Sequence, residues 1–419
     1  MQSFEEYSFK GKRVLMRVDF NVPFDKQTGL VSDDSRIRRA VPTIEYVVNR
    51  GGRVILMSHM GRPGGKVVEE FSMRRIKQLV EQLVGKSIVL ASDCVGAEVV
   101  AQTRSLHDGD IMLLENVRFH EEEEGKARQR ENESDEHFLE RKRVLKEARY
   151  QFAKEMAELG DCYVNDAFGA AHRADLSTSV IAEFFPHDKM FGLLMESELK
   201  ALDRVKQSPA RPLTAIIGGA KVSDKIKLID SLLAKVNRLI VGGGMAYTFV
   251  KSQGGAIGKS LCEPDYVELA DQLLDKAKRA GVEVLLPVDA VNAKTFAADS
   301  ETLITAIGAT PDGWMGLDIG PESAKRFREA IVSSKTIFWN GPMGVFEMPP
   351  FASGSFAIGA AMAEATSMGA YTLVGGGDSV SALKQSGHED GVSYISTGGG
   401  AMLEYLEGVE LPGVKAIRG

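Results

Sequence analysis

The chain has 419 residues, 44% of them hydrophobic, and carries a formal net charge of −7 at pH 7. That length exceeds the roughly 250–300 residues at which a single core stops growing, so two domains are expected. The acidic balance argues against general nucleic-acid affinity while permitting a local basic pocket, and no apolar run approaches the roughly 20 residues of a membrane-spanning helix.

The N-terminal stretch MQSFEEYSFKGKRV lacks the apolar core of an export signal. Cys94, Cys162 and Cys262 are odd in number and form no CxxC pair, which disfavours a disulfide framework or a zinc site. A reducing, cytoplasmic setting is the expectation.

Short apolar runs alternate with longer segments of helical period, the pattern of a parallel sheet with crossover helices. The first half offers RVLMRV, RVILMS, DIMLLE and DCYVND; the second offers LTAIIGG, NRLIVGGG, VEVLLPV, KTIFWNG, AYTLVGGG and VSYISTGGG. Many are nearly continuous in Val, Ile and Leu, as strands buried on both faces should be. Glu121 to Arg149 is a mixed charge run that reads as a solvated insertion leading into an amphipathic helix, with Leu145, Ala148, Phe152, Met156 and Leu159 at helical spacing. Met195 to Gln207, MESELKALDRVKQ, reads as a polar helix joining the halves.

The halves differ in the residues at their strand ends. First-half strands end in charged and amide side chains (RVDFN, SHMGRP, ENVRF, NDAFGAAHR), second-half strands in glycine (GGAK, GGGM, NGPMG, GGGDS, TGGGA). Ligands of parallel sheets bind at the carboxyl ends of strands, so each half is expected to carry its own site with its own chemistry.

In the first half, Arg17, Arg36, His59, Arg62, Arg118, His172 and Arg173 lie at strand ends or on adjoining helices, with Asp19 and Asn21 at the first strand end. Arginine presents a fixed fork of donors that matches phosphate or carboxylate oxygens. Any one of these cations is more often half of a surface ion pair, but seven at successive strand ends of one sheet would crowd like charge onto one rim unless an anion occupied it.

In the second half, glycine runs at Gly242 to Gly244, Gly375 to Gly377 and Gly398 to Gly400 allow close backbone approach to phosphate, and a succeeding helix N-terminus favours the anion. A single such run could be a tight turn; three argue for more. Lys221 and Lys225 are four apart, which places them on one face of any helix starting there. GGAIGKS, Gly254 to Ser260, is one residue short of a Walker A loop and lacks a strongly apolar strand before it. No GxGxxG, GxSxG or metal-ligand spacing of His, Cys and Asp occurs.

Ten motifs in order resemble the phosphoglycerate kinase family across essentially the whole chain: RVDFNVP, SHMGRP, LLENVRFH, YVNDAFGAAHR, GGAKVSDKI, GGGMAYTF, GWMGLDIGPES, NGPMGVFE, GGGDS and STGGGAMLEYLEG. The resemblance implies an α/β chain of two doubly wound, Rossmann-like parallel-sheet domains joined by a hinge helix. These would be an N-terminal phosphoglycerate domain at 1–194 and a C-terminal nucleotide domain at 195–404, with the tail 405–419 packing back on the first. It implies reversible phosphoryl transfer between 1,3-bisphosphoglycerate and Mg-ADP, giving 3-phosphoglycerate and Mg-ATP, in a cytoplasmic monomer without nucleic-acid or membrane partners.

Carried over by motif, the phosphoglycerate site would take Asp19, Phe20, Asn21, Arg36, His59, Met60, Gly61, Arg62, Arg118 and Arg173. The nucleotide site would take Lys225, Gly243, Gly244, Leu261, Gly316, Leu317, Asn340 and Val345, with Glu347 on the ribose. Gly375, Gly376, Gly377 and Ser379 would lie close to the phosphates, and Asp378 would hold Mg2+. Arg36, Lys221, Gly376 and Gly399 would act on the transferred group. The family often has Ala-His after His172 and Arg173 where this chain has Ala174 and Asp175, a carboxylate that reduces the positive field. Ser379 replaces a frequent threonine and keeps its hydroxyl. The alternative function is a two-domain anion-binding protein that closes without chemistry; it accounts for the basic rim but not for Lys221, Asp378 and the glycine-rich strand ends.

Overall fold

A computed structural model describes residues 2–127, 129 and 132–419. Positions 128, 130 and 131, inside the charged run that begins at Glu121, lie outside the described residues. The chain divides into two compact units, Met1–Leu199 with Glu410–Gly419, and Lys200–Val409.

In the first unit, strands β1 (Arg13–Arg17), β2 (Arg53–Met57), β3 (Ile88–Leu90), β4 (Ile111–Leu113), β5 (Cys162–Asn165) and β6 (Lys189–Phe191) form one sheet of order β3-β4-β2-β1-β5-β6. Every pairing is parallel. The central strands are sealed on both faces: Val14, Leu15, Met16, Val54, Ile55, Leu56 and Met57 are fully buried. Helix Ser35–Asn49 covers the sheet with the stripe Ile37, Ala40, Ile44, Val47 and Val48, spaced so that one face meets the core. The order reverses at β1, so the loops after β1, β2, β4 and β5 gather at one edge.

Helix Asp135–Ala157 is capped by Ser134, whose hydroxyl accepts from the His137 N–H, and buries Leu145, Phe152, Ala153 and Met156. The preceding glutamates are not simply a solvated run: Glu123 is fully buried. The C-terminal helix Pro412–Arg418 is pinned to this unit by Gly413 N–H to Ala171 O (2.9 Å) and Lys189 Nζ to Ala416 O (2.8 Å). Helix Leu193–Lys206 carries the chain from the first unit into the second.

The second unit contains β7 (Leu213–Ile217), β8 (Arg238–Val241), β9 (Ala256–Ile257), β10 (Glu283–Leu285), β11 (Asp289–Ala293), β12 (Thr302–Ala306), β13 (Ala309–Thr310), β14 (Met315–Ile319), β15 (Thr336–Asn340), β16 (Tyr371–Val374) and β17 (Tyr394–Ile395). Its main sheet, β10-β8-β7-β15-β16-β17, is again parallel throughout. The order reverses between β7 and β15, the crevice where the loop after β7 meets the loop after β15. A small antiparallel sheet, β12-β11-β14, stands beside it. Among the described residues, no helix is long and apolar enough to cross a membrane.

Candidate active site

In the first unit the loop after β1 carries Asp19, Phe20 and Asn21. The Phe20 N–H donates to Ser58 Oγ (2.8 Å), and Asn21 Oδ1 accepts from the Gly61 N–H (2.9 Å), which ties the β1 loop to the β2 loop. Asn116, after β4, brackets Met60 by accepting from its N–H (3.2 Å) and donating to its carbonyl (2.8 Å). These bonds fix the backbone from which the cations project.

His59 is the hub. It is buried, with Arg17 Nη2 3.0 Å from Nδ1 and Arg173 Nη2 3.4 Å from Nε2. Burial, then Arg17, Arg118, Arg173 and Arg36, push its pKa well below the ordinary 6.5, so the ring is neutral. Arginine only donates, so Nδ1 accepts from Arg17 and Nε2 carries the proton. That N–H then faces Arg173 Nη2, donor to donor, at 3.4 Å.

The other cations are set by specific partners. Arg36 pairs with Asp19 Oδ2 at 2.8 Å. Arg118, 4% exposed, donates to Gly61 O (2.7 Å), and its Nε is buried without a partner. Arg173 Nε donates to Asp175 Oδ2 (2.9 Å). Arg17 is fully buried, with Nε donating to Ser177 Oγ at 2.7 Å. Arg62 stands exposed beside Gly61. His172 has a buried Nδ1 with no partner, and burial lowers its pKa.

In the second unit a cavity of about 610 Å³ opens at the carboxyl edge of the sheet. Of the residues expected near a nucleotide, Gly243, Gly244, Leu261, Gly316, Leu317, Val345, Glu347 and Asp378 line it. Its walls are mostly apolar, suited to the faces of a heteroaromatic base, with Glu347 among the few charged groups. Gly316 cannot be replaced in place, since a Cβ there would lie 1.5 Å from Tyr247 Oη.

A second, polar group is built around Asn340, with Asp378 close enough to act on Lys225 through its charge. The Lys225 ammonium donates to Asn340 Oδ1, Asn340 Nδ2 donates to Gly375 O (2.6 Å), and Ser379 Oγ accepts from the Gly341 N–H (2.5 Å). Gly376, at φ +94°, turns the chain into helix Gly377–Gln385, whose first turn exposes Asp378. Gly399 stands at the start of helix Gly400–Glu407. Neither helix start carries a side-chain cap bond, and a helix N-terminus favours anions.

Lys221 and Lys225 do not share a helix face, contrary to the expectation from their spacing. The helix begins only at Ile226, and both lysines lie in the preceding turn, Lys221 exposed and Lys225 half-buried. Val222, Ser223 and Asp224 are diverted into that turn, where Ser223 anchors to Glu263 through its N–H (3.0 Å) and hydroxyl (2.6 Å). The lysines therefore serve different positions, Lys225 at Asn340 and Lys221 near Glu263, whose pKa it helps to lower.

Sequence reasoning missed Tyr247, Lys259, Phe296, Ile307 and Met343, which also line the cavity. Lys259 belongs to the rejected GGAIGKS stretch. It reaches the cavity from a turn held by its N–H to Trp314 O (2.7 Å), not from a phosphate loop.

The sequence model of phosphoglycerate kinase matches residues 4–409. A phosphoglycerate kinase of Porphyromonas gingivalis is 50% identical over 417 residues, 99% of each chain. A relative from Triticum aestivum, named a cytosolic phosphoglycerate kinase, is 49% identical over 412 residues, covering 98% of this chain and 96% of its own. The solved structure of phosphoglycerate kinase from Coxiella burnetii superposes with a TM-score of 0.83 at 38% identity, over 99% of this chain and 97% of that one. With its cationic strand ends in one unit and its glycine-lined cavity in the other, the chain belongs to the phosphoglycerate kinase family.

Proposed function

We propose that the two units divide one reaction between them, the cationic rim of the first holding 3-phosphoglycerate and the cavity of the second holding ADP or ATP. The chain is a phosphotransferase with a carboxyl group as acceptor. In the ATP-consuming direction the acceptor carboxylate, with a pKa of about 3.5–4, is already ionised at neutral pH and needs no general base. The step requires alignment and neutralisation of charge on the moving phosphoryl group.

The observation that carries this reading is the gathering of Arg17, Arg118 and Arg173 around His59, with Arg118 Nε buried and without a partner, so that cations outnumber the carboxylates that steady them. Phosphoglycerate supplies two anionic ends to such a set. Arg36 from the first unit and Lys221 from the second would contribute cations to the transferred group, and the helix starts after Gly376 and Gly399 would contribute backbone donors. A hinge movement about helix Leu193–Lys206 would bring these groups onto one phosphoryl and exclude water, which protects the acyl phosphate from hydrolysis.

The nucleotide is expected to arrive with Mg2+. Asp378 suits that ion: its carboxylate is a hard oxygen donor on an exposed first turn, open to water, and Mg2+ is commonly held by one carboxylate, phosphate oxygens and waters. When bound, the ion would neutralise charge on the nucleotide phosphates. Lys225, held by Asn340, would sit beside the same phosphates. Both half-sites come from one chain, so a monomer suffices, and we assign it to the cytoplasm, as the wheat relative's name states for that protein.

The test is turnover by purified protein with ATP, Mg2+ and 3-phosphoglycerate, coupled to reduction of the acyl phosphate. Turnover well above that of Lys221→Ala supports the reading, and no difference between the two overturns it. A binding protein that closes without chemistry would give neither.

A further inference from the structure

Beneath the cationic rim lies a layer of carboxylate that the transfer reaction does not itself use. Asp175 is 5% exposed and Glu123 is fully buried. Asp175 Oδ2 accepts from Arg173 Nε at 2.9 Å and lies 3.7 Å from Arg118 Nη2. Glu123 accepts from Ser177 through its N–H (2.9 Å) and its hydroxyl (2.6 Å), and Ser177 Oγ in turn accepts from Arg17 Nε. Three rim arginines thus rest on two carboxylates, one directly and one through a serine.

The segment that bears Asp175 is clamped. Its carbonyl accepts from Ser179 Oγ (2.7 Å), Thr178 Oγ1 (3.1 Å) and the Ser179 N–H (3.0 Å), and the next residue, Leu176, donates its N–H to Glu123 O (2.8 Å). Arg149 donates a further bond to Ala174 O. Burying two acids this close is costly, and burial together with Asp175 raises the Glu123 pKa, against the pull of Arg17. Such a cost is met only where the neighbouring cations need the charge.

We propose that Asp175 is a positioning residue of the phosphoglycerate site, holding Arg173 and Arg118 from beneath and cancelling part of their charge so that the two-ended substrate is favoured over a simple anion. This rests on the reading that the rim binds 3-phosphoglycerate. A small anion gains from net positive charge alone and would occupy an uncompensated rim as a competitor. The substrate also gains from two cation sets fixed at the right separation, and fixed geometry survives a reduced net charge.

The test uses the full chain and inorganic phosphate as the competing probe. Asp175→Asn keeps the size and an acceptor for Arg173 while removing the charge. The inhibition constant for phosphate is expected to fall about 3- to 10-fold, as one unit charge a few ångströms from the bound anion would give at a partly screened site. The KM for 3-phosphoglycerate should not fall with it, and the KM for Mg-ATP should stay unchanged. Asp175→Ala, which also removes the acceptor, should raise the 3-phosphoglycerate KM about 10-fold, the scale of one lost charge-assisted hydrogen bond.

An unchanged phosphate constant in Asp175→Asn overturns the proposal, as does a parallel fall of both constants, which would make Asp175 a bulk charge only. If Asp175→Ala folds poorly by its melting temperature, Asp175→Asn alone decides. Arg173→Ala separates the two layers of argument. If it leaves the 3-phosphoglycerate KM unchanged, the rim reading fails and the proposal with it; if it raises that KM while Asp175→Asn changes nothing, only the role of Asp175 is lost.

Discussion

Lys225 and Asn340 are joined side chain to side chain although 115 positions separate them, and Asn340 passes the connection on to Gly375 O at 2.6 Å. The link crosses the reversal point of the second sheet, from the turn after β7 to the end of β15 and the start of the glycine loop after β16. Burial lowers the Lys225 pKa, while Asp224, Asp378 and Glu407 favour its charge. An ammonium placed by one amide oxygen is aimed rather than mobile.

Asn340→Ala should therefore release Lys225 and leave Gly375 O without its donor. The KM for Mg-ATP is expected to rise about 10-fold or more, on the scale of a hydrogen bond to a charged group, with the KM for 3-phosphoglycerate unchanged. Steady-state kinetics with each substrate varied in turn checks the split. An equal change in both would dissociate Asn340 from the nucleotide.

Gly316 and Tyr247 supply a steric prediction. A Cβ at Gly316 would meet Tyr247 Oη at 1.5 Å and Cζ at 2.3 Å, and Tyr247 is 4% exposed, so the ring has little room to retreat. Gly316→Ala should cost about 1–3 kcal/mol of stability through overpacking and weaken ADP binding, because both residues line the same cavity. Calorimetric titration with ADP, beside a denaturant curve, tests the pair. Wild-type ADP affinity would show that the base does not use this wall.

His59 makes stability depend on pH with a definite sign. Its folded pKa is depressed well below 6.5, chiefly by burial and then by Arg17. Between that folded value and 6.5 the unfolded chain holds a proton that the folded chain refuses, so stability present above 6.5 is lost as pH falls. His59→Gln removes the proton site while keeping an acceptor for Arg17. The stability difference between wild type and His59→Gln should shift against wild type from pH 7.5 to 5.5, by up to about 1.4 kcal/mol per pH unit. A difference that stays constant with pH would mean His59 is not the linked group.

How far the sequence could be read depended on whether a residue's neighbours lie along the chain or across it. Strands such as β1, β2, β7 and β15 were legible because burial on both faces demands continuous apolar runs. β3 and β6 are three-residue edge strands and β12 is mostly exposed, so none of them leaves a long apolar run in the sequence. In the second unit, Gly243 and Asp378 stand in or beside glycine runs at strand ends, and Leu317, inside β14, was expected only through a family motif, whereas Tyr247 and Phe296 read as ordinary core or surface positions until the fold set them around a cavity. Glu123 was hidden for another reason. In a run of four glutamates nothing local marks the one that a serine from 54 positions away will bury.

Asp378 yields the sharpest separation between the two half-sites. It lies at the cavity and on the first turn of a helix, and it acts on Lys225 through its charge. Asn at this position keeps shape and one oxygen but loses the negative charge that a divalent cation requires. Asp378→Asn should lower kcat at least about 10-fold, with a higher Mg2+ requirement, while direct binding of 3-phosphoglycerate stays within about 2-fold of wild type; the first figure corresponds to about 1.4 kcal/mol of barrier. Turnover across a Mg2+ series and a separate titration with 3-phosphoglycerate supply the two readouts. Equal losses in both would place Asp378 in the general stability of the chain instead of at the nucleotide's metal.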